Sequence, residues 1–131
     1  MTVVPAHGVT GTARLLGYSI DLAPDGATVA MQVTEEHTNR QGNLHGGLIA
    51  TLLDTAMGAT ASQVRGDGGR VPFSTLTITV NFLAPMPPGR ISATGRVTGG
   101  GYKTVFVEAS ARADDGTLVA QAVGTFKRTA P

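Results

Sequence analysis

Residues 41–64 read QGNLHGGLIATLLDTAMGATASQV, a run between Arg40 and Arg65 whose only ionisable side chains are His45 and Asp54. Leu48, Leu52 and Ala56 recur at four-residue spacing, as do Ile49, Leu53 and Met57, so after Gly47 the run is apolar nearly all round a helix. Such a helix has to be buried. It is no bilayer span, because Gln41, Asn43, His45, Asp54 and four glycines cut the uninterrupted apolar stretch far below the roughly 18 residues required.

The segments on either side alternate with a period of two. From Ala27 to Thr34, Val29, Met31 and Val33 share one face, and Thr28, Ala30, Gln32 and Thr34 the other, the pattern of a half-buried strand. Thr75 to Phe82 alternates more strictly, with Leu76, Ile78, Val80 and Phe82 on one side and Thr75, Thr77, Thr79 and Asn81 on the other. Pro85, Pro87 and Pro88 end that strand. Arg90–Thr98, Tyr102–Ala113 and Thr117–Lys127 are three further strand-like stretches, joined by Gly99-Gly100-Gly101 and by the hairpin signal Asp114-Asp115-Gly116. The reading is one long buried helix followed by four strands in an antiparallel meander and preceded by one or two more: an α+β domain whose curved sheet wraps the helix.

At 131 residues the chain has room for a single domain, residues 1–131, with no repeat or linker. Ten Lys and Arg against nine Asp and Glu give a net charge of +1, which leaves no electrostatic footprint for nucleic acid or an anionic membrane. Charged residues make up only 15%, against about 25% in an average soluble domain, so part of the surface is expected to be covered by other copies of the chain. The absence of cysteine excludes disulfides, thiolate metal sites and cysteine nucleophiles. No secretory signal is visible in MTVVPAHGVTGTARLLGYSI, and the expected compartment is the cytoplasm.

Asp54 is the most informative residue. A carboxylate inside a buried helix costs several kcal/mol of desolvation unless it is paired or needed, and no Lys or Arg lies within four residues to pair with it. Either it sits on a narrow solvent-facing stripe with Thr51 and Thr55, or it is held in a cleft as a nucleophile or general base. His45-Gly46-Gly47 marks the helix start, where first-turn N–H groups lack internal acceptors and can hold an oxyanion. The same glycines would also suit a plain strand-to-helix turn. His45 could be a base or a brace for the turn, but not a metal ligand, because His7 and His37 have no ligand spacing with it. Asn39, Asn43 and Thr75 are polar residues near the expected mouth.

Taken together, Glu35-Glu36-His37-Thr38-Asn39, His45-Gly46-Gly47 and Leu52-Leu53-Asp54 resemble the hotdog-fold acyl-CoA thioesterases of the PaaI-like, phenylacetic-acid-degradation type, which also include animal proteins of the thioesterase superfamily member 2 type. The resemblance continues through Thr75–Pro85, the turn Gly101-Tyr102-Lys103 and Leu118–Lys127. It implies a helix wrapped by a curved antiparallel sheet, two protomers joining their sheets, and a homotetramer formed as a dimer of dimers with shared active sites. It implies thioester hydrolysis of an aryl-acyl-CoA or medium-chain acyl-CoA, with no cofactor, since coenzyme A is part of the substrate. The backbone N–H of Gly46 would polarise the carbonyl, and Asp54 would reach it from the other protomer. Asn39 and His45 would orient the thioester and its loop, and Thr75 would assist the water. Gly47 and Phe82 would contact the substrate, in its acyl or its CoA portion. Gly100, Gly101, Tyr102, Lys103 and Thr104, with Lys127 or Arg128, would hold the CoA phosphates. Two other readings stand beside this one: a hydratase or dehydratase of the same fold, which needs a histidine–carboxylate pair, and a non-catalytic acyl-CoA binding module.

Overall fold

The computed structural model describes residues 2–3 and 9–129. In chain order they form β1 (Thr2–Val3), α1 (Gly11–Leu16), β2 (Tyr18–Ala23), β3 (Gly26–Val33), a 3-10 turn (Glu35–His37), α2 (Gly46–Arg65), β4 (Phe73–Phe82), β5 (Gly89–Gly100), β6 (Thr104–Ala113) and β7 (Leu118–Arg128). One antiparallel sheet carries all seven strands in the order β1-β2-β3-β5-β6-β7-β4. The α2 helix packs across its inner face. Because Val29, Met31 and Val33 of β3 all face α2, they are buried with Ile91, Val105, Val107 and Phe126 against Leu52, Leu53, Ala56 and Met57.

The helix lies very close to β5. A Cβ added at Gly95 would stand 2.8 Å from the Ala56 carbonyl oxygen and closer still to Thr60 Oγ1, so only glycine permits this approach. Thr60, the one fully buried polar side chain among the described residues, accepts a hydrogen bond from the Ala27 N–H at 3.0 Å. No helix among the described residues is long and apolar enough to cross a membrane.

Four expectations need correction. First, α2 is not buried all round: the sheet covers one side, and Ala50, Thr51, Asp54, Thr55, Ala59 and Ser62, on the side turned away from the core, stay partly exposed. Second, the meander holds only for β5, β6 and β7. Strand β4 crosses over to pair with β7 and becomes the edge of the sheet. Third, the strict alternation of Thr75–Phe82 breaks at a bulge: Thr75 pairs with Phe126 and Thr77 with Thr125, which leaves Leu76 as the extra residue. Thr75 therefore shares the inner face with Ile78 and Val80 instead of opposing them. Fourth, Gly99 and Gly100 belong to β5, and the turn proper is Gly101–Lys103.

The sequence reading also missed α1. It is capped by Thr10 Oγ1, which accepts from the Ala13 N–H at 3.1 Å, and ended by Gly17 at φ 84°. The turn Asp114-Asp115-Gly116 forms as expected. There the Thr117 N–H donates to Asp115 Oδ1 at 2.9 Å and holds that carboxyl below its ordinary range.

Candidate active site

The helix start is organised by His45, the N-cap residue of α2. Its Nδ1 accepts the Gly47 N–H at 2.9 Å, and its carbonyl accepts the N–H groups of Leu48 and Ile49 at 2.9 and 3.1 Å. Of the first four helical amides, that of Gly46 alone has no acceptor among the described residues. It stands at the positive end of a twenty-residue helix.

Gly46 lines a cleft of about 370 Å³ whose walls are Asn39, Gln41, Asn43, Leu44, Ile49 and the stretch Phe82–Met86. None of these residues is ionisable, so an oxyanion inside would meet oriented dipoles rather than a competing charge. The Phe82 ring lies over Gly46, 3.4 Å from where a Cβ would be. Asn39 shapes the loop: its Oδ1 accepts the N–H groups of Gln41 and Asn43 at 3.0 and 3.2 Å, and its own N–H donates to the Asn43 carbonyl at 2.7 Å. Leu44 is tied to the far wall by its N–H, which donates to the Met86 carbonyl at 2.7 Å.

Asp54 lies elsewhere. It is eight residues along α2 from Gly46, about 12 Å at 1.5 Å per residue, and does not line the cleft. The Thr75 hydroxyl donates to Asp54 Oδ1 at 2.6 Å, an approach that the bulge at Leu76 makes possible. Asp54 Oδ2 has no partner among the described residues.

A third group of expected residues lies at the far end of α2, about 28 Å along the axis from Gly46. Here Arg65, which the sequence reading took only as the charged boundary of the apolar run, donates to the Gly100 and Gly101 carbonyls at 3.3 and 3.4 Å. Arg128 donates to the Arg65 carbonyl at 2.8 Å and stacks its guanidinium 4.2 Å from the Tyr102 ring centroid. Lys103 and Lys127 are exposed, while Thr104 pairs in register with Lys127. The expected residues thus fall into three groups: Asn39, His45, Gly46 and Phe82 at the cleft; Asp54 with Thr75; and Gly100–Thr104 with Lys127 and Arg128. Gly47 belongs to the first only through its bond to His45. Sequence reasoning missed Gln41, Leu44, Ile49 and Met86 as cleft walls, because apolar and loop residues carry no chemical signature of their own.

Comparison with known proteins places this arrangement. Residues 41–120 match the thioesterase superfamily. A Saccharolobus solfataricus protein named as a candidate esterase is 35% identical over 107 residues, 82% of this chain and 74% of its own length. Mouse acyl-coenzyme A thioesterase 13 is 33% identical over 70 residues, 53% of this chain and 48% of the relative. The solved structure of the Escherichia coli PaaI protein, from the phenylacetic acid degradation operon, superposes with a TM-score of 0.83 at 26% identity, covering 92% of this chain and 86% of that one. The chain belongs to the thioesterase superfamily and is a PaaI-like, hotdog-fold thioester hydrolase.

Proposed function

We propose that the substrate is an acyl-CoA, with an aryl-acyl or medium-chain acyl group, and that each active site is built from two copies of the chain. The observation that carries this reading is the Gly46 N–H. Among the described residues it has no acceptor, and it stands at the head of α2 on an uncharged cleft, while the only carboxylate on that helix lies about 12 Å further along it. One protomer would contribute Gly46, His45, Asn39 and Phe82, and its partner would contribute the Asp54–Thr75 pair and the Gly100–Thr104 turn. The free edge of β4, ten residues long with Leu76 and Phe82 exposed on it, supports sheet-to-sheet pairing of two copies. The partly exposed small residues of α2 support the same pairing. Two such dimers would form the homotetramer that the sequence resemblance implies.

In the reaction, the Gly46 N–H and the helix dipole stabilise negative charge on the thioester oxygen. With Thr75 holding Oδ1, Asp54 Oδ2 is free to act. It either attacks the carbonyl, expelling the CoA thiolate and leaving a mixed anhydride that water opens, or takes the proton of an attacking water. Both routes yield free acid and CoA. No cofactor takes part. Lys103, Lys127 and Arg128, helped by glycine-rich backbone, supply local positive charge for the CoA phosphates.

A hydratase reading fits less well. It needs a histidine working with a carboxylate, whereas His45 Nδ1 is occupied by the Gly47 N–H and no carboxylate bonds its ring among the described residues. Thiol release from a panel of acyl-CoAs, read with a thiol reagent, tests the proposal. Turnover with aryl-acetyl-CoA or medium-chain acyl-CoA is expected. Binding without thiol release would establish a non-catalytic module instead, and consumption of an enoyl or β-hydroxyacyl thioester without thiol release would establish a hydratase.

A further inference from the structure

His37 has no part in the chemistry above, yet its ring and backbone join three segments that converge on the active-site loop. Its Nδ1 accepts the Thr34 N–H at 3.0 Å, and its Nε2 lies 2.9 Å from the Leu16 carbonyl oxygen at the end of α1. A carbonyl can only accept and a backbone N–H can only donate, so the ring is the neutral tautomer with its proton on Nε2. The His37 carbonyl in turn accepts the N–H of His45, the residue immediately before Gly46, at 3.0 Å. The chain between them closes as a small hairpin, bridged at Thr38 and Leu44, that holds Asn39 at its tip.

We propose that His37 is a positioning residue: its neutral imidazole, held at Nδ1 by the Thr34 N–H and at Nε2 by the Leu16 carbonyl, latches the loop carrying Asn39, His45 and the Gly46 amide, and uptake of a proton breaks the Thr34 half of that latch. A protonated ring presents N–H at both nitrogens, so Nδ1 then faces the Thr34 N–H donor to donor and that bond is lost, while Nε2–H keeps the Leu16 carbonyl and the Thr34 hydroxyl, 3.4 Å from Nδ1, is left as a long acceptor. The ionisable side chains on the segments bonded to His37 are Arg14 on α1, Glu35 and Glu36 in its own turn, and Arg40 and His45 in the loop beyond. Arg14 is committed to the Val9 carbonyl at 2.8 Å, and no ion pair to the His37 ring forms among the described residues. The proton therefore acts on the hydrogen-bond pattern of the loop. A displacement well under 1 Å at Gly46 is enough to weaken an oxyanion contact, because such donors act only within a narrow distance range.

The inference rests on Gly46 as the oxyanion donor, and its test keeps the two apart. His37→Asn retains an acceptor near the Nδ1 position, and His37→Gln a donor near Nε2; neither titrates. With the oligomer intact by light scattering, each is expected to lower kcat about 10-fold while KM changes less than about 3-fold, the signature of an interaction made in the transition state. Both should also show a flatter acid limb of kcat/KM than the wild-type protein, because neither side chain takes up a proton. Should neither variant fold, 15N NMR of the wild-type imidazoles serves instead. The Nε2–H tautomer of His37, turning to imidazolium in step with the loss of turnover, is the expected result. An unchanged kcat and pH profile in both variants, or the opposite tautomer, overturns the latch. If Gly46→Val is inactive while the His37 variants behave as wild type, only the latch fails; if Gly46→Val keeps full turnover, it is the oxyanion assignment that fails.

Discussion

At the scale of single residues, the Thr75–Asp54 hydrogen bond fixes what substitutions there should do. Asp54→Asn keeps an oxygen to accept the Thr75 hydroxyl, so the protein should remain folded and oligomeric while thiol release falls at least ~100-fold, as when a positioned nucleophile or base is removed. Near-normal turnover by a correctly folded Asp54→Asn protein would remove Asp54 from the mechanism. Thr75→Val keeps the shape but deletes the donor. It should cost about 10-fold in kcat, roughly 1.4 kcal/mol, at the lower end for a hydrogen bond to a charged group. Asp54 was legible because a lone carboxylate in the apolar run from Leu52 to Met57 stands out, although the fold puts it on the partly exposed side of α2 with Thr51 and Thr55 and not inside the core. The role of Thr75 as its hydrogen-bond donor was not. Alternation put Thr75 on the face opposite Ile78, and a one-residue bulge, which leaves no mark in a sequence, reversed that.

At the scale of elements, the packing of α2 on β5 and the order of the strands decide where the residues go. An added Cβ at Gly95 would run into both the Ala56 carbonyl and the buried, hydrogen-bonded Thr60 side chain, so Gly95→Ala should destabilise the fold by about 1–3 kcal/mol through overpacking. Chemical denaturation should then show a lower midpoint with an unchanged slope; an unchanged midpoint would mean that the helix can move away at no cost. The end of β5 and the Gly101–Lys103 turn lie against the C-terminal end of α2, where Arg65 binds the Gly100 and Gly101 carbonyls and Arg128 stacks on Tyr102. Lys103 is exposed beside them. Lys103→Ala should therefore raise KM for acyl-CoA a few-fold with little change in kcat, and the effect should shrink as ionic strength rises. Equal loss with a substrate lacking the nucleotide would put the phosphates elsewhere. The long helix and five of the strands could be read from periodicity. The crossover that carries β4 to the sheet edge could not, because strand order is set by long-range pairing and alternation speaks only of faces. The six-residue α1 was too short to show a period.

At the scale of the whole molecule, one chain holds every expected group but keeps them apart: the Gly46 cleft, the Asp54–Thr75 pair about 12 Å along the helix and the basic turn about 28 Å along it. The low charge content hinted at partners. Which side of α2 they would cover emerges only from the fold, where its small residues remain partly exposed opposite the sheet. The central claim is that Gly46 of one protomer works with Asp54 of another, and complementation tests it most directly. Gly46→Val, whose side chain would crowd the Phe82 ring and fill the oxyanion position, and Asp54→Asn should each be inactive alone. The two variants are then co-expressed with different affinity tags, purified through both, and assayed for thiol release. The mixed oligomer contains intact sites made from the Gly46 of one chain and the Asp54 of the other, so it should recover between about a quarter and a half of wild-type turnover. Activity no greater than that of the two parents, in a mixed oligomer verified by mass, would contradict the shared site.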